Sequence, residues 1–488
     1  MLCFTSVPAA EQRLLWSRDG AATRQAVELL QILRDAEVYG LRSQDYASDL
    51  VGGEIDWTEF DRVLSAAATH LLMDLHFGRV SPRTAGFDLP RPRPRLSTQV
   101  LLEQLARAAD VRAVVASVEP QFHEYRLLQE ALPRYRALAA DPALTRLPPY
   151  PGRSLKAGDR YPGAPALRRL LSALGDLEPQ AEPVASSEIL DAVLMQGLQR
   201  FQERHGLDAD AVLGKRTLAS LTTPLSQRVL QIELTLERLR WLPAIAASPI
   251  VVNIPQFRLF AFRSSRPGRG DALQMPVIVG QTYPSLRTPV FVGEMTAVVF
   301  RPYWDIPRSI LMRELLPEIQ ARPDYLEWHR FEIVHGPDDD ARALPPTKEN
   351  IDGLAAGKLR LRQRPGADNA LGLIKFVLRN AHNVYLHDTP AQQLFRETRR
   401  AFSHGCIRLG DPVALAVQVL QGTPGDWTSD NVVAAMHGDV TREVSLPSPI
   451  PVLVLYGTAV AVEPETVYFF EDIYGHDARL ARLLESPT

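Results

Sequence analysis

Two stretches in the C-terminal third of the chain carry residue types suited to nucleophilic chemistry. Cys406 lies within Phe402-Ser403-His404-Gly405-Cys406-Ile407-Arg408-Leu409, and His387, nineteen residues earlier, ends Val384-Tyr385-Leu386-His387 just before Asp388-Thr389-Pro390. A thiol reacts as its thiolate, so it needs a base or cation within hydrogen-bond reach to bring its pKa from about 8.5 into the range of roughly 3.5 to 7.5. A histidine is the natural partner. Strand alternation sets Tyr385 and His387 on the face opposite Val384 and Leu386, and Asp-Thr-Pro ends the strand with His387 at its mouth. Gly405 allows a tight turn and leaves backbone N–H groups near the sulfur to hold an oxyanion. This combination implies acyl transfer. Arg408 either binds a substrate anion or braces the loop by an ion pair. A zinc site from His382, His387, His404 and Cys406 is the competing reading, but no further cysteine and no H-E-x-x-H helix supports it. No metal and no cofactor are expected.

The bulk numbers narrow the surroundings of such a site. A chain of 488 residues points to two to four domains. A formal net charge of −3, without a Lys/Arg-rich run, argues against nucleic acid as a partner. The two cysteines, Cys3 and Cys406, stand almost a chain length apart, which excludes a disulfide framework. No run of eighteen apolar residues is present, so no transmembrane helix is expected. The first twenty residues lack the basic and apolar regions of a complete signal peptide and are read as at most the remnant of one. Cys3 is given no role.

The elements that must position the site follow from periodicity. Residues 21–150 read as a helical scaffold, with Ala26, Leu29, Leu30, Leu33 and Ala36 at three-to-four spacing and a break at Pro90, Pro92 and Pro94. Residues 154–222 form a compact helical unit in which Gly175 and Gly206 stop amphipathic helices. Asp208 and Asp210 hint at a calcium loop but lack the distal glutamate. Residues 223–248 supply a return helix and linker. From residue 249 to 440 short strand-like runs replace helices, as in Ile250-Val251-Val252 and Val277-Ile278-Val279, which suggests an all-β, sandwich-like domain or a partly closed sheet. An insertion of mixed helical and polar character, residues 303–365, interrupts it and reads as a lid. Residues 441–488 are a strand-containing extension. The fold class is thus multidomain α+β.

Ser403-His404-Gly405-Cys406-Ile407-Arg408-Leu409 and Tyr385-Leu386-His387-Asp388-Thr389-Pro390 together resemble the signatures of the L,D-transpeptidase (YkuD-type) catalytic domain. Arg240-Trp241-Leu242-Pro243, Arg287-Thr288-Pro289-Val290, Tyr303-Trp304-Asp305-Ile306-Pro307 and Asn369-Ala370-Leu371-Gly372 look like further blocks of the large Gram-negative periplasmic type. Leu198-Gln199-Arg200-Phe201-Gln202 with His205-Gly206-Leu207 resembles the three-helix peptidoglycan-binding module, departing at Ala211, where that family usually has glycine. The resemblance implies that Cys406 attacks the bond between meso-diaminopimelate and the terminal D-alanine of a tetrapeptide stem, with His387 moving the protons. A second stem's amine, water or a protein lysine would then take the acyl group. The resemblance also implies that the backbone N–H groups of His404 and Gly405 hold the oxyanion and that Tyr385, Ser403, Arg408 and Trp304 line the site. The implied partner is peptidoglycan and the implied location is the periplasm.

Overall fold

The computed structural model describes residues 14–46, 56–90, 96–178, 187–243, 248–263, 272–322, 324–336, 341–463 and 465–485. Cys3, Pro92, Pro94 and the acidic run Asp338-Asp339-Asp340 lie outside them. The chain divides into two compact units, Met1–Ala244 with Gly457–Thr488, and Ile245–Tyr456.

The first unit is helical. Helix Arg24–Arg34 opens on an N-cap in which the Thr23 hydroxyl accepts from the Ala26 N–H, and it buries Ala26, Leu29, Ile32 and Leu33. Long helix Trp57–Phe77 is capped by Asp56 in the same way. Of the segment 1–20 read as at most a signal remnant, residues 1–13 lie outside the described residues and the rest packs with the helices. Trp16 is fully buried, its indole N–H donates to Ser65 Oγ at 2.8 Å, and Ser17–Arg18 pairs with Ala21–Ala22 as a hairpin. Those residues therefore belong to the helical core.

Helices Ala164–Leu174, Ala192–Arg204 and Lys215–Leu221 carry the apolar side chains anticipated for the module. They share one apolar cluster with helices His123–Ala139 and Leu225–Arg240 and with the hairpin Ala459–Glu463/Thr466–Phe469. The expected C-terminal extension is thus divided. Residues from Gly457 onward complete the helical unit, because the hairpin's Ala459, Ala461, Val467 and Phe469 need that cluster to be buried.

The second unit is built on strands β1 (Ile250–Asn253), β2 (Arg258–Phe262), β3 (Ala272–Gly280), β4 (Phe291–Phe300), β5 (Trp304–Asp305), β6 (Phe331–Val334), β7 (Arg360–Gln363), β8 (Ile374–Arg379), β9 (Leu386–His387), β10 (Ala401–Ser403), β11 (Ile407–Leu409) and β12 (Arg442–Leu455). Nine of them form one sheet in the order β10-β3-β11-β9-β8-β4-β12-β1-β2, and β2 also pairs with β3. The pairing therefore closes on itself, the partly closed alternative of the sequence reading. Closure joins eight strands in a ring and leaves β10, paired with β3, as an edge. β12 lies between β4 and β1, so the catalytic unit runs through Tyr456 and does not stop at residue 440. Its prolines Pro447 and Pro449 fall in the irregular stretch between Ser445 and Ile450, where no ladder hydrogen bond needs their missing N–H.

The insertion is more ordered than its polar composition suggests. β5, β7 and β6 form a small antiparallel sheet, and Ile306, Ile310, Leu311, Leu316, Ile319, Leu326, Phe331, Ile333, Ile351, Leu354 and Leu361 make an apolar cluster.

Candidate active site

β9 is two residues long and lies between β8 and β11. It runs parallel to β11 with Leu386 opposite Ile407 and His387 opposite Arg408, and antiparallel to β8 with His387 opposite Lys375. Directly paired residues point to the same face of a sheet. Lys375, His387 and Arg408 therefore share one face, while Phe376, Leu386 and Ile407 turn into the core, each fully buried. One step before the strand pair, the Ile407 N–H donates to the Tyr385 carbonyl at 3.1 Å. That brings Tyr385 beside Cys406. Tyr385 supplies both a backbone and a side-chain hydrogen bond to the thiol, and the thiol faces the Asn383 carbonyl at 3.9 Å.

The turn that presents Cys406 is fixed from two sides. Gly405 has φ of 116°, a conformation that glycine adopts without a Cβ clash. Thr288 Oγ1 donates to the Gly405 carbonyl at 2.8 Å and accepts from the Gly280 N–H at 2.8 Å. Ser403 Oγ donates to the Cys406 carbonyl at 2.5 Å and accepts from the Gly405 N–H at 3.1 Å. Two sequence expectations change as a result. Ser403 is buried and shapes the turn, so it does not line a substrate surface. The Gly405 N–H is engaged by Ser403, so it is not the donor for an oxyanion that the sequence suggests.

His387 is held by carbonyls. Its Nδ1 lies 2.5 Å from the Asp388 carbonyl oxygen, and the Leu371 carbonyl also bonds the ring. The Asp388 carboxylate does not orient the imidazole. It accepts from the Leu373 N–H at 2.9 Å and from Gln392 at 3.2 Å, and so secures the loop that carries Leu371. Gly372 belongs to that loop with φ of 65°, and a Cβ there would sit 2.3 Å from Asp388 Oδ2.

The family model of the L,D-transpeptidase catalytic domain matches residues 248–426. Residues 248–426 are an L,D-transpeptidase catalytic domain. Upstream, residues 9–132 match the family "Scaffold domain" and residues 160–221 the "Putative peptidoglycan binding domain". A protein of Haemophilus influenzae named "Putative L,D-transpeptidase" is 32% identical over 277 residues, which span 55% of this chain and 53% of that relative. The N-acetylmuramoyl-L-alanine amidase CwlM of Mycobacterium tuberculosis is 35% identical over 75 residues, 14% of this chain and 18% of the amidase. The chain thus spans about half the length of the first of these relatives and less of the second.

Burial dominates the electrostatics of this L,D-transpeptidase domain. The His387 imidazole is pushed down to about 3, first by burial and then by the Arg408 guanidinium, against the two carbonyl bonds that favour its protonation. Burial also raises the Cys406 thiol; the Tyr385 hydrogen bonds and the charges of Lys375 and Arg408 oppose it only in part. The resting pair is therefore a neutral thiol and a neutral imidazole. Such a pair fits a base that takes the proton as attack occurs. Tyr385 is driven well above the usual phenol range by burial and by the neighbouring thiol, and Trp304 hydrogen-bonds its hydroxyl.

Trp304 thereby reaches the site through Tyr385. His404 does not point at the sulfur: its Nε2 lies 2.9 Å from Glu314 Oε1 in the insertion. His382 stands against the Phe291 ring at 5.4 Å. Among the described residues no set of three His, Cys, Asp or Glu side chains gathers to hold a metal ion. Sequence reasoning missed Lys375, Thr288, Asn383 and Glu314. Thr288 and Leu371 fall inside the Arg-Thr-Pro-Val and Asn-Ala-Leu-Gly blocks, so a signal for them existed. For Lys375 it was the alternation of Ile374-Lys375-Phe376, a charged residue on a strand whose other face is core.

Proposed function

We propose that the chain cross-links peptidoglycan stem peptides through a cysteinyl thioester. Cys406 Sγ attacks the carbonyl that joins meso-diaminopimelate to the terminal D-alanine of a tetrapeptide donor. The S–C bond forms, the C–N bond breaks, and His387 carries the thiol proton to the departing D-alanine amine. The amine of a second stem then displaces the sulfur, and the thiol regains its proton. The backbone N–H groups of His404 and Cys406 face the developing oxyanion. The observation that carries this reading is the pairing of β9 with β11, which sets Tyr385, His387, Cys406 and Arg408 on one face.

The insertion acts as a lid over the acyl-enzyme. Three contacts support this: Glu314 with His404, Arg313 with Ser285 Oγ at 3.3 Å, and Trp304 with Tyr385. By excluding water it favours the amine acceptor over hydrolysis. The module of residues 160–221 places the enzyme on the wall polymer, which lies outside the cytoplasmic membrane, so the protein works in the periplasm. No helix among the described residues is long and apolar enough to cross a membrane.

Incubation of the purified protein with disaccharide tetrapeptides, followed by mass spectrometry, tests the reading. Cross-linked dimer with released D-alanine is the expected result. Tripeptide alone assigns the same thioester to a carboxypeptidase, and unchanged tetrapeptide defeats the proposal.

A further inference from the structure

Lys375 stands on β8 directly opposite His387, with its ammonium 4.5 Å from the centroid of the Tyr385 ring. The ring thus carries a cation on its face and donates its hydroxyl to the Cys406 thiol. Two strands away on the same face, Arg408 has a buried Nε without a hydrogen-bond partner. Neither cation has a carboxylate partner among the described residues. The acids nearby are engaged elsewhere: Asp305 pairs with Arg360, and Asp388 holds Leu373 and Gln392. A half-buried ammonium and guanidinium side by side with no protein anion is an unfavourable arrangement unless an anion arrives with the ligand.

We infer that Lys375 receives the free C-terminal carboxylate of the donor peptide and so restricts attack to the last peptide bond of a stem. The inference rests on the transpeptidase reading above. In a donor whose scissile carbonyl lies at Cys406, the terminal carboxylate is one residue further on, with Cα atoms about 3.8 Å apart. Strands lie about 4.8 Å apart, so the Lys375 backbone is about 10 Å from the strand of Cys406. The four-carbon lysine stem, laid along the Tyr385 ring, closes that gap from the side opposite Arg408. Both cations face His387 and act on the thiol, but Arg408 lies on β11 beside the nucleophile turn while Lys375 lies two strands away, which leaves the outer position to Lys375. A charge-assisted bond to a carboxylate discriminates strongly against a neutral chain end, because the amide would leave the ammonium unpaired.

The test compares two donors, the tetrapeptide with a free C-terminal carboxylate and its C-terminal amide, on the full-length enzyme. Wild type is expected to favour the carboxylate in kcat/KM by about 10- to 100-fold. In Lys375→Met the preference falls to within about threefold of unity, mostly through KM, and in Lys375→Arg much of it returns. Alkylation of Cys406 by iodoacetamide, a neutral probe, is followed across pH in the same variants. Its midpoint should move only slightly upward in Lys375→Met, because burial, more than the charge of the lysine, sets the thiol. Wild-type turnover with an unchanged carboxylate preference in Lys375→Met overturns the proposal alone, and so does an alkylation midpoint that moves enough to account for the lost turnover. A wild-type enzyme inert toward both donors overturns the transpeptidase reading and this proposal with it.

Discussion

His404 and Glu314 join the nucleophile turn to the insertion: Nε2 of the histidine lies 2.9 Å from one carboxylate oxygen and 3.2 Å from the other. Glu314 belongs to a π-helical turn, Leu311–Leu315, of the kind that often marks a functional position in a helix. His404 is two residues before Cys406. A displacement of the insertion is therefore felt at the backbone proposed to hold the oxyanion.

Both side chains are partly exposed, so the pair itself contributes less than about 1 kcal/mol to stability. Glu314→Ala is expected to leave the melting curve almost unmoved. It should nevertheless raise the ratio of hydrolysed tripeptide to cross-linked dimer. Replacing residues 303–365 with a short Gly/Ser linker should push the same ratio further, or abolish both products with the β-sheet intact. Chromatography of the products decides it, and an unchanged dimer yield in both variants would rule out a lid.

Cys406 is half-buried at a turn, so its side chain contributes chemistry more than stability. Cys406→Ala should abolish D-alanine release and carbapenem acylation while the melting temperature stays within a few degrees. In wild type, burial raises the thiol, so iodoacetamide alkylation should have its midpoint above the free-thiol value of about 8.5. A midpoint near 6 would mean a preformed thiolate and contradict the neutral resting pair.

The chemistry of this site was more legible in the sequence than its architecture. Cys406 and His387 stood out because few other roles explain a Ser-His-Gly-Cys turn and a strand ending in histidine. β10 and β11 were not legible: they are three residues each, too short to show alternation, and they exist because β3 and β9 offer them backbone partners. β12 was read only from Val452 onward, since Pro447, Pro449 and Pro451 mask its first half, and only the sheet reveals that the prolines sit at or beside an irregularity. Ser403 looked like a substrate residue because serine is polar, but its hydroxyl has two partners inside the turn. Glu314 could not be assigned from sequence, because the bond to His404 spans ninety positions that only the folded insertion brings together.

His387 titrates near 3 in the folded protein and near 6.5 when unfolded. Below pH 6.5 the unfolded chain takes up a proton that the folded site refuses. Its contribution to stability is therefore fully present above pH 6.5 and is lost as pH falls toward 3, by at most about 5 kcal/mol. In His387→Gln the stability slope between pH 7 and pH 4 should flatten, as read by urea denaturation, and acylation by a carbapenem should slow by about 100-fold. Equal slopes in both proteins would show that the imidazole is not held neutral by its surroundings.

Ala211 has φ of 54°, the left-handed conformation for which the related modules usually use glycine. The turn is locked there: the Ala211 N–H donates to Gln202 Oε1 at 2.9 Å, and Gln202 Nε2 donates to Asp210 Oδ1 at 3.0 Å and to Thr217 Oγ1 at 3.1 Å. Asp210 Oδ1 also accepts from the Val212 N–H at 2.9 Å. With the backbone fixed by these bonds, alanine stays in the strained region, at a cost of roughly 1–2 kcal/mol. Glycine removes the strain but loses about 0.4–1 kcal/mol through the greater freedom of its unfolded chain, and the methyl's contact with the neighbouring apolar cluster goes with it. The balance favours Ala211→Gly by about 0.5 kcal/mol. Urea denaturation of the full chain, followed on the helical signal, should show a small upward shift of the midpoint at constant slope. A midpoint that falls instead would mean that the methyl's packing outweighs the strain, and that this module has adapted its turn to alanine.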